Sequence, residues 1–174
     1  KALVGCEQEY EWHPEGDVWI HTLMVTDQAR SRLEGLDYPR RVVMMLSALC
    51  HDMGKPATTK FEDGRIRSKG HEEAGVAPAT TFLDRLNIHS LDGYDVRRTV
   101  LGIVAHHLKP TMFFKAPAPV GDGAFRRLAQ KVELELLAQF AKADCHGRAG
   151  TFECDAMDWF IERARLLGVE HQPP

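Results

Sequence analysis

The sequence predicts an all-α helical bundle built as one domain. Apolar residues recur at helical spacing through most of the chain, and the alternation expected of half-buried strands is scarce. Capping and breaking residues cut that pattern into helix-sized pieces. No internal repeat or domain-sized linker interrupts the 174 residues, a length that suits a single core.

The first helix follows Asp17, an N-cap by residue type, and runs through "VWIHTLMVTDQARSRL". It carries Val18, His21, Met24/Val25 and Gln28/Ala29 on one stripe. Pro39 suits the first turn of a second helix, with Val42, Met45/Leu46 and Leu49 as its expected apolar face. That helix stops near "HDMGKP", where Gly54 ends it and Pro56 cannot continue it. Residues 57–69 read as a loop with a short hairpin around "EDGR". A third helix is expected over about 70–87, ended by Asn87. A fourth spans about 92–107 with Val96, Val100, Ile103 and Val104 inward. "KPTMFFKAPAPVGDG" reads as irregular because it is dense in Pro and Gly. A long helix over about 122–143 carries Leu128, Val132, Leu136/Leu137 and Phe140/Ala141, and a last one covers about 153–167. The domain is therefore drawn at 1–168, with 169–174 as a tail or linker.

The composition, 44% hydrophobic and 27% charged, is that of an ordinary soluble globular protein. No apolar run approaches the roughly 20 residues that span a bilayer, so no membrane partner is expected. The opening "KALVGCEQEYEWH" lacks the apolar run and cleavage site of a signal peptide. Cys6, Cys50, Cys145 and Cys154 form no C-x-x-C pair, which predicts reduced thiols in a cytoplasm. Lys1 is not an initiator Met, so the expectation is an excised or trimmed piece of a longer protein, with a stand-alone relative as the alternative. The net charge of −3 excludes a polycation built for nucleic acid. Positive charge is local, at Arg40/Arg41, Arg97/Arg98 and Arg126/Arg127 and around Lys60, Arg65, Arg67 and Lys69.

Singly, each of the nine histidines reads as a surface or satisfied core residue. Placement changes that reading for five of them. His21 lies on the inward stripe of the first helix, His51 closes the second beside Asp52, His71 opens the third, and His106/His107 close the fourth. Asp144 shares the inward face of Leu137 and Ala141. A carboxylate there is costly without a cation or strong donors. Imidazoles and carboxylates converging from several helices suit a borderline or hard divalent metal in the bundle interior. The spacing predicts a metal site without fixing its ligands.

The ordered set His21, His51-Asp52 and Asp144, with "HDMGK" at 51–55, resembles the H-D-x-G-K signature of the HD superfamily of metal-dependent phosphohydrolases. A wider set is similar to the HD domain of bacterial tRNA nucleotidyltransferases, the multifunctional CCA-adding proteins. It comprises "EQEYEWHPEGDVWIHTLMVTDQA", "LCHDMGKP", "GRIRSKGHEEAG", "VAHHLKP" and "KADCHGRAG", and covers about 5–155. The nucleotidyltransferase head of that family, with its Gly-Ser and Asp-x-Asp motif, has no counterpart in this sequence.

The resemblance implies one or two divalent ions (Ni, Mn, Mg, Co or Fe). The first is expected on His21, His51, Asp52 and Asp144. The second shares Asp52 and takes His71 and His106, with His107 either a ligand or a support. Asp52 and Lys55 are the implied catalytic residues, although Lys55 also reads as a solvated Lys in a last helical turn. Lys55, Arg148, Lys69 and Arg67 are candidates for substrate binding, the last two weighed against ordinary surface charge. The implied reaction is hydrolysis of phosphoesters of nucleotides or RNA ends by a metal-activated water, of 2′,3′-cyclic phosphodiesterase, 2′-nucleotidase or phosphatase type. Implied partners are that phosphoester substrate, tRNA and a nucleotidyltransferase domain. Two alternatives stay open: a di-iron HD oxygenase, and a non-catalytic domain that binds tRNA through the local basic clusters. Asp17 reads as an N-cap or as a support to the site. Trp12, Trp19, Trp159 and "MFF" at 112–114 read as core or lid packing, and Glu133 and Glu135 as solvated. His13, His89, His146 and His171 fall outside the expected site.

Overall fold

The structure, a computed structural model, describes residues 1–171. Asp17 does cap the first helix, α1 (Val18–Arg30), its carboxylate accepting the amides of Trp19 and Ile20 at 2.7 and 3.2 Å. Asp37 caps α2 (Tyr38–Cys50), and Pro39 sits in its first turn as expected. A single turn, α3 (Lys55–Thr58), follows at once. The hairpin at "EDGR" is present: β1 (Lys60–Glu62) pairs with β2 (Arg65–Arg67). Asp63 and Gly64 take the left-handed backbone of its turn.

The helix expected over 70–87 is two pieces, α4 (His71–Ala74) and α5 (Val76–Arg85), with Gly75 at the break. A second hairpin follows, β3 (Ser90–Leu91) with β4 (Tyr94–Asp95), turning at Asp92 and Gly93. It carries the same Asp-Gly signal as the first, which the periodicity of the following helix masked. Next is α6 (Val96–His106), with Val96, Val100, Ile103 and Val104 all buried as expected. "KPTMFF" is not irregular but helical, α7 (Lys109–Phe114), because Pro110 occupies a first-turn position where proline needs no donor. The long helix expected over 122–143 breaks into α8 (Asp122–Ala129) and α9 (Leu134–His146). The last helix among the described residues is α10 (Asp155–Leu166).

The helix α2 runs through the centre, packed on α1, α6 and α9, while α10 covers α9 and α7. Its buried face is Val43, Met44, Ser47, Ala48 and Cys50, whereas Val42, Met45, Leu46 and Leu49 are half-buried. The expected face was rotated by about one residue, since apolar side chains surround almost the whole helix and periodicity selects no single row. Phe125, Phe140 and Phe160 fill the largest fully buried volumes. Phe113 stacks on Phe125 and Phe160, and Trp159 on Phe114 and Phe125, so the packing reading holds for them. No described helix is long and apolar enough to cross a membrane.

Three expectations are corrected. Cys145 and Cys154 are joined by a disulfide, since the loop after α9 folds back to start α10 beside α9's last turn. Among the described residues, Cys6 and Cys50 are the free cysteines. Glu133 is not solvated but buried at the N-terminus of α9, accepting from Arg40 Nε and the Tyr94 hydroxyl. The tail begins later than drawn: Val169 is in the core and the Glu170 carbonyl accepts the Glu135 amide. Its last residues, 172–174, lie outside the described residues.

Candidate metal centre

Four helix ends and one helix face deliver the site. His21 projects from α1, His51 caps α2 with Asp52 next to it, His71 opens α4, His107 caps α6, and Asp144 projects from the last turn of α9. Each imidazole is oriented the same way. Nδ1 of His21, His51, His71 and His107 lies 2.8–3.0 Å from the carbonyl oxygens of Gly147, Ala48, Ser68 and Val104 respectively. A carbonyl only accepts, so every Nδ1 donates and, in the neutral ring, every Nε2 keeps its lone pair for the centre.

The Asp52 carboxylate lies between two pairs of these rings. Its Oδ2 is 3.3 Å from His51 Nε2 and 3.7 Å from His21 Nε2. Its Oδ1 is 3.3 Å from His71 Nε2 and 4.0 Å from His107 Nε2. Asp144 Oδ1 joins the first side, 2.8 Å from His21 Nε2 and 3.5 Å from His51 Nε2. Burial disfavours charge on both carboxylates, yet His51 beside them holds each well below the usual range. Burial likewise opposes a charged His51, but Asp52 and Asp144 push it up to about 10. On the other side burial, reinforced by His51, pushes His107 down to about 4.

The donor set fits a divalent metal. His51 Nε2 and Asp52 Oδ2 are buried with no hydrogen-bond partner. The Nε2 atoms of His71 and His107 face each other at 3.2 Å, lone pair to lone pair when both rings are neutral. His21, His51 and Asp52 offer one close group of ligand atoms, and Asp52, His71 and His107 another. Nitrogen and carboxylate oxygen without thiolate suit a borderline or hard cation.

The HD domain family matches the chain over residues 18–144. The chain belongs to that family. HD domains make up a superfamily of metal-dependent phosphohydrolases. The multifunctional CCA protein of Acinetobacter baumannii is 31% identical over 156 residues, which cover 86% of this chain and 34% of that protein. The multifunctional CCA protein of Mannheimia succiniciproducens is 37% identical over 87 residues, covering 50% of this chain and 20% of that protein. That of Actinobacillus pleuropneumoniae is 34% identical over 105 residues, covering 60% of this chain and 24% of that protein. This HD domain thus spans about a third of the length of the first of these. No solved structure matches it.

Other expected site residues of this HD domain divide. Lys55 is buried, with Nζ 2.9 Å from Asp52 Oδ2, so the solvated reading fails. That approach is an ion pair without hydrogen-bond alignment, since Asp52 Oδ2 makes no hydrogen bond. His106 is not part of the close group of ligand atoms that includes His107. Successive helical residues diverge by about 100°, so only one member of the pair can face Asp52. Lys69 and Arg67 are not brought to the centre. Their side chains pair with Glu62 and Asp63, while Ile66 and Ser68, on the alternate face of the strand and its extension, line the cavity. Asp17 caps α1 through one carboxylate oxygen and accepts the Gly5 amide with the other.

Glu15 and His13 were missed. Glu15 Oε1 lies 2.9 Å from Nδ1 of both His21 and His13, and its Oε2 accepts the Ala149 amide. Burial opposes its charge, but those hydrogen bonds, led by His13, hold it far below the ordinary range. The carboxylate–imidazole pairing that commonly supports metal-binding histidines was the available signal, in a Glu six positions before His21. An inner cavity of about 280 Å³ reaches Asp52, His71, His107 and Asp144. It adjoins an outer cleft of about 580 Å³ whose wall includes Trp12, Met112, Phe114 and Arg148. Arg148 stacks 3.8 Å above Phe152, with Nε donating to the Cys145 carbonyl.

Proposed function

We propose that this HD domain is a phosphohydrolase holding two divalent cations, with nucleotides or RNA ends as its phosphoester substrates. The observation that carries the reading is Asp52, whose two carboxylate oxygens each face a separate pair of imidazole Nε2 atoms. His21, His51, Asp52 and Asp144 would hold one ion, and Asp52, His71 and His107 the other. When bound, such ions supply Lewis-acid charge for phosphate oxygens and lower the pKa of a water.

The chain's own residues do the rest. The backbone carbonyls of Gly147, Ala48, Ser68 and Val104 fix the four rings with Nε2 inward. Glu15 holds His21 from behind. Lys55 supplies a positive charge beside Asp52 and is the candidate to balance the charge of the phosphoester as it binds. Arg148, in the wall of the outer cleft, is the candidate to take a more distal phosphate. Trp12, Met112 and Phe114 give that cleft an apolar side suited to a base or sugar.

The relatives are named multifunctional CCA proteins, which supports substrates of the 2′,3′-cyclic, 2′-phosphate or phosphatase type, tRNA and a nucleotidyltransferase domain as partners, and a cytoplasmic setting. The scaffold reading has less support, because Arg40 and Arg97 of the basic clusters are paired with Glu133 and Asp84. The test is hydrolysis of 2′,3′-cyclic AMP by the chain loaded in turn with Ni²⁺, Mn²⁺, Mg²⁺ and Co²⁺. Turnover that disappears in Asp52→Ala is expected. Intact substrate at full metal loading would sink the reading, as would two bound irons with O₂ consumption in place of hydrolysis.

A further inference from the structure

We propose that Gln8 is an oxyanion-binding residue of the inner cavity, its side-chain NH₂ donating to a phosphate oxygen. This rests on the phosphohydrolase reading and adds a residue from outside the helices that build the centre.

Gln8 belongs to a strap, residues 6–17, that precedes α1 and folds across the cavity. The strap is closed on itself by Val18 N to Cys6 O and Gln8 N to Gly16 O, both 2.9 Å, and by the Glu7–Asp17 bridge. It is also tied to the first hairpin, where the Ile66 amide donates to the Glu9 carboxylate at 2.8 Å. Gln8 is therefore held on a fixed frame. The residue is 6% exposed and lines the inner cavity with Asp52, Lys55, His71, His107 and Asp144.

The orientation of the amide follows from chemistry. Lys55 Nζ lies 2.7 Å from Gln8 Oε1, and an ammonium offers only donors, so the atom facing it must be the carbonyl oxygen. The NH₂ is then fixed as the other terminal atom. It is buried and has no partner. Folds rarely leave such a donor unsatisfied, and where they do a ligand or a functional role is the usual reason. The surrounding groups indicate which ligand. Carboxylates and imidazole Nε2 lone pairs are acceptors, and Lys55 is already engaged with Asp52 and Gln8. An anionic oxygen entering beside the metals needs donors from the protein, and Gln8 Nε2 is an uncommitted one.

The experiment titrates manganese-loaded protein with inorganic phosphate by calorimetry. It compares the wild-type chain with Gln8→Glu and Gln8→Met and counts bound manganese by elemental analysis. Gln8→Glu keeps an oxygen for Lys55 and turns the donor into an acceptor. Gln8→Met removes both polar atoms at similar volume. Both variants are expected to keep the wild-type manganese count and to bind phosphate about ten-fold more weakly or worse, Gln8→Glu the weaker of the two. Unchanged phosphate affinity in the folded variants would overturn the assignment. A reduced manganese count would also overturn it, because Gln8 would then act on the metals through Lys55 and Asp52. Failure of both variants to fold would make the residue structural and dispose of the proposal too. If wild-type protein neither binds phosphate nor hydrolyses 2′,3′-cyclic AMP, the phosphohydrolase reading itself fails. If it does both and the variants match it, only Gln8 is lost.

Discussion

At the scale of single residues, the adjacent pair His106–His107 divides, with His107 beside Asp52 and His71 and His106 outside that group. The resemblance assigned His106 to the second ion and left His107 open. In the structure His107 donates Nδ1 to Val104 O and turns Nε2 toward His71 and Asp52. Nδ1 of His106 is buried without a partner, and burial, aided by Lys131 and Lys109, pushes that ring down to about 4. The two residues therefore make a sharp test of the centre. His107→Ala is expected to lose about one metal equivalent and most of the hydrolysis, because only Asp52 and His71 remain for the second ion. His106→Ala should keep both equivalents. Elemental analysis of the two purified variants checks this, and the reverse pattern would restore His106 as the ligand.

At the scale of elements, the sequence located most helices but misread why some of them end. Gly54 was expected to end α2 as a turn residue. Its φ of −83° is one that any residue adopts, so conformational freedom is not what requires glycine. Close approach is. A Cβ at position 54 would sit 2.0 Å from the His71 carbonyl oxygen and 2.6 Å from the Gly75 amide. Gly54→Ala must therefore push α4 away from α2, and α4 carries His71. A loss of at least about 1–3 kcal/mol in denaturant unfolding is expected, the usual cost of overpacking. The second ion should weaken with it, and wild-type stability with full metal content would refute the close-packing account. Such a contact is illegible in sequence because it joins segments whose approach only the tertiary fold decides. The break between α8 and α9 is of the same kind: "LAQKVELEL" contains no Gly or Pro, yet Lys131 O and Val132 pack tightly on Gly102 of α6. What could be read locally was read well, including the Asp17 cap, the "EDGR" hairpin, the inward row of α6 and the His/Asp cluster itself. The Cys145–Cys154 bridge had no such local signature, because the loop that closes it is set by α10 docking on α9.

At the scale of the whole molecule, one buried polar cluster joins parts far apart in sequence. Glu133, at the start of α9, accepts both Arg40 Nε contacts at 3.1 Å from α2 and the Tyr94 hydroxyl at 2.9 Å from β4. Arg40 also lies 4.6 Å over the Tyr94 ring and pairs with Asp37. The cluster thus fixes the N-terminus of the helix whose other end supplies Asp144. Burial pushes the Tyr94 phenol up from 10.0 to about 12, and Glu133 adds to the shift. The sign of the pH effect follows. Above pH 10 the unfolded phenol loses its proton while the folded one retains it until about 12, so the folded state binds more protons in that window. Stability must then fall as pH rises between those values, beyond whatever the other groups contribute. Tyr94→Phe removes this component and one hydrogen bond while leaving the Arg40–Glu133 pair in place. The variant should be about 1 kcal/mol less stable at neutral pH. Its deficit should shrink as pH rises through the window, measured as the difference between wild-type and variant denaturant midpoints at each pH. A constant difference from neutral to strongly alkaline pH would mean that Tyr94 is not the protonated strut between β4 and α9.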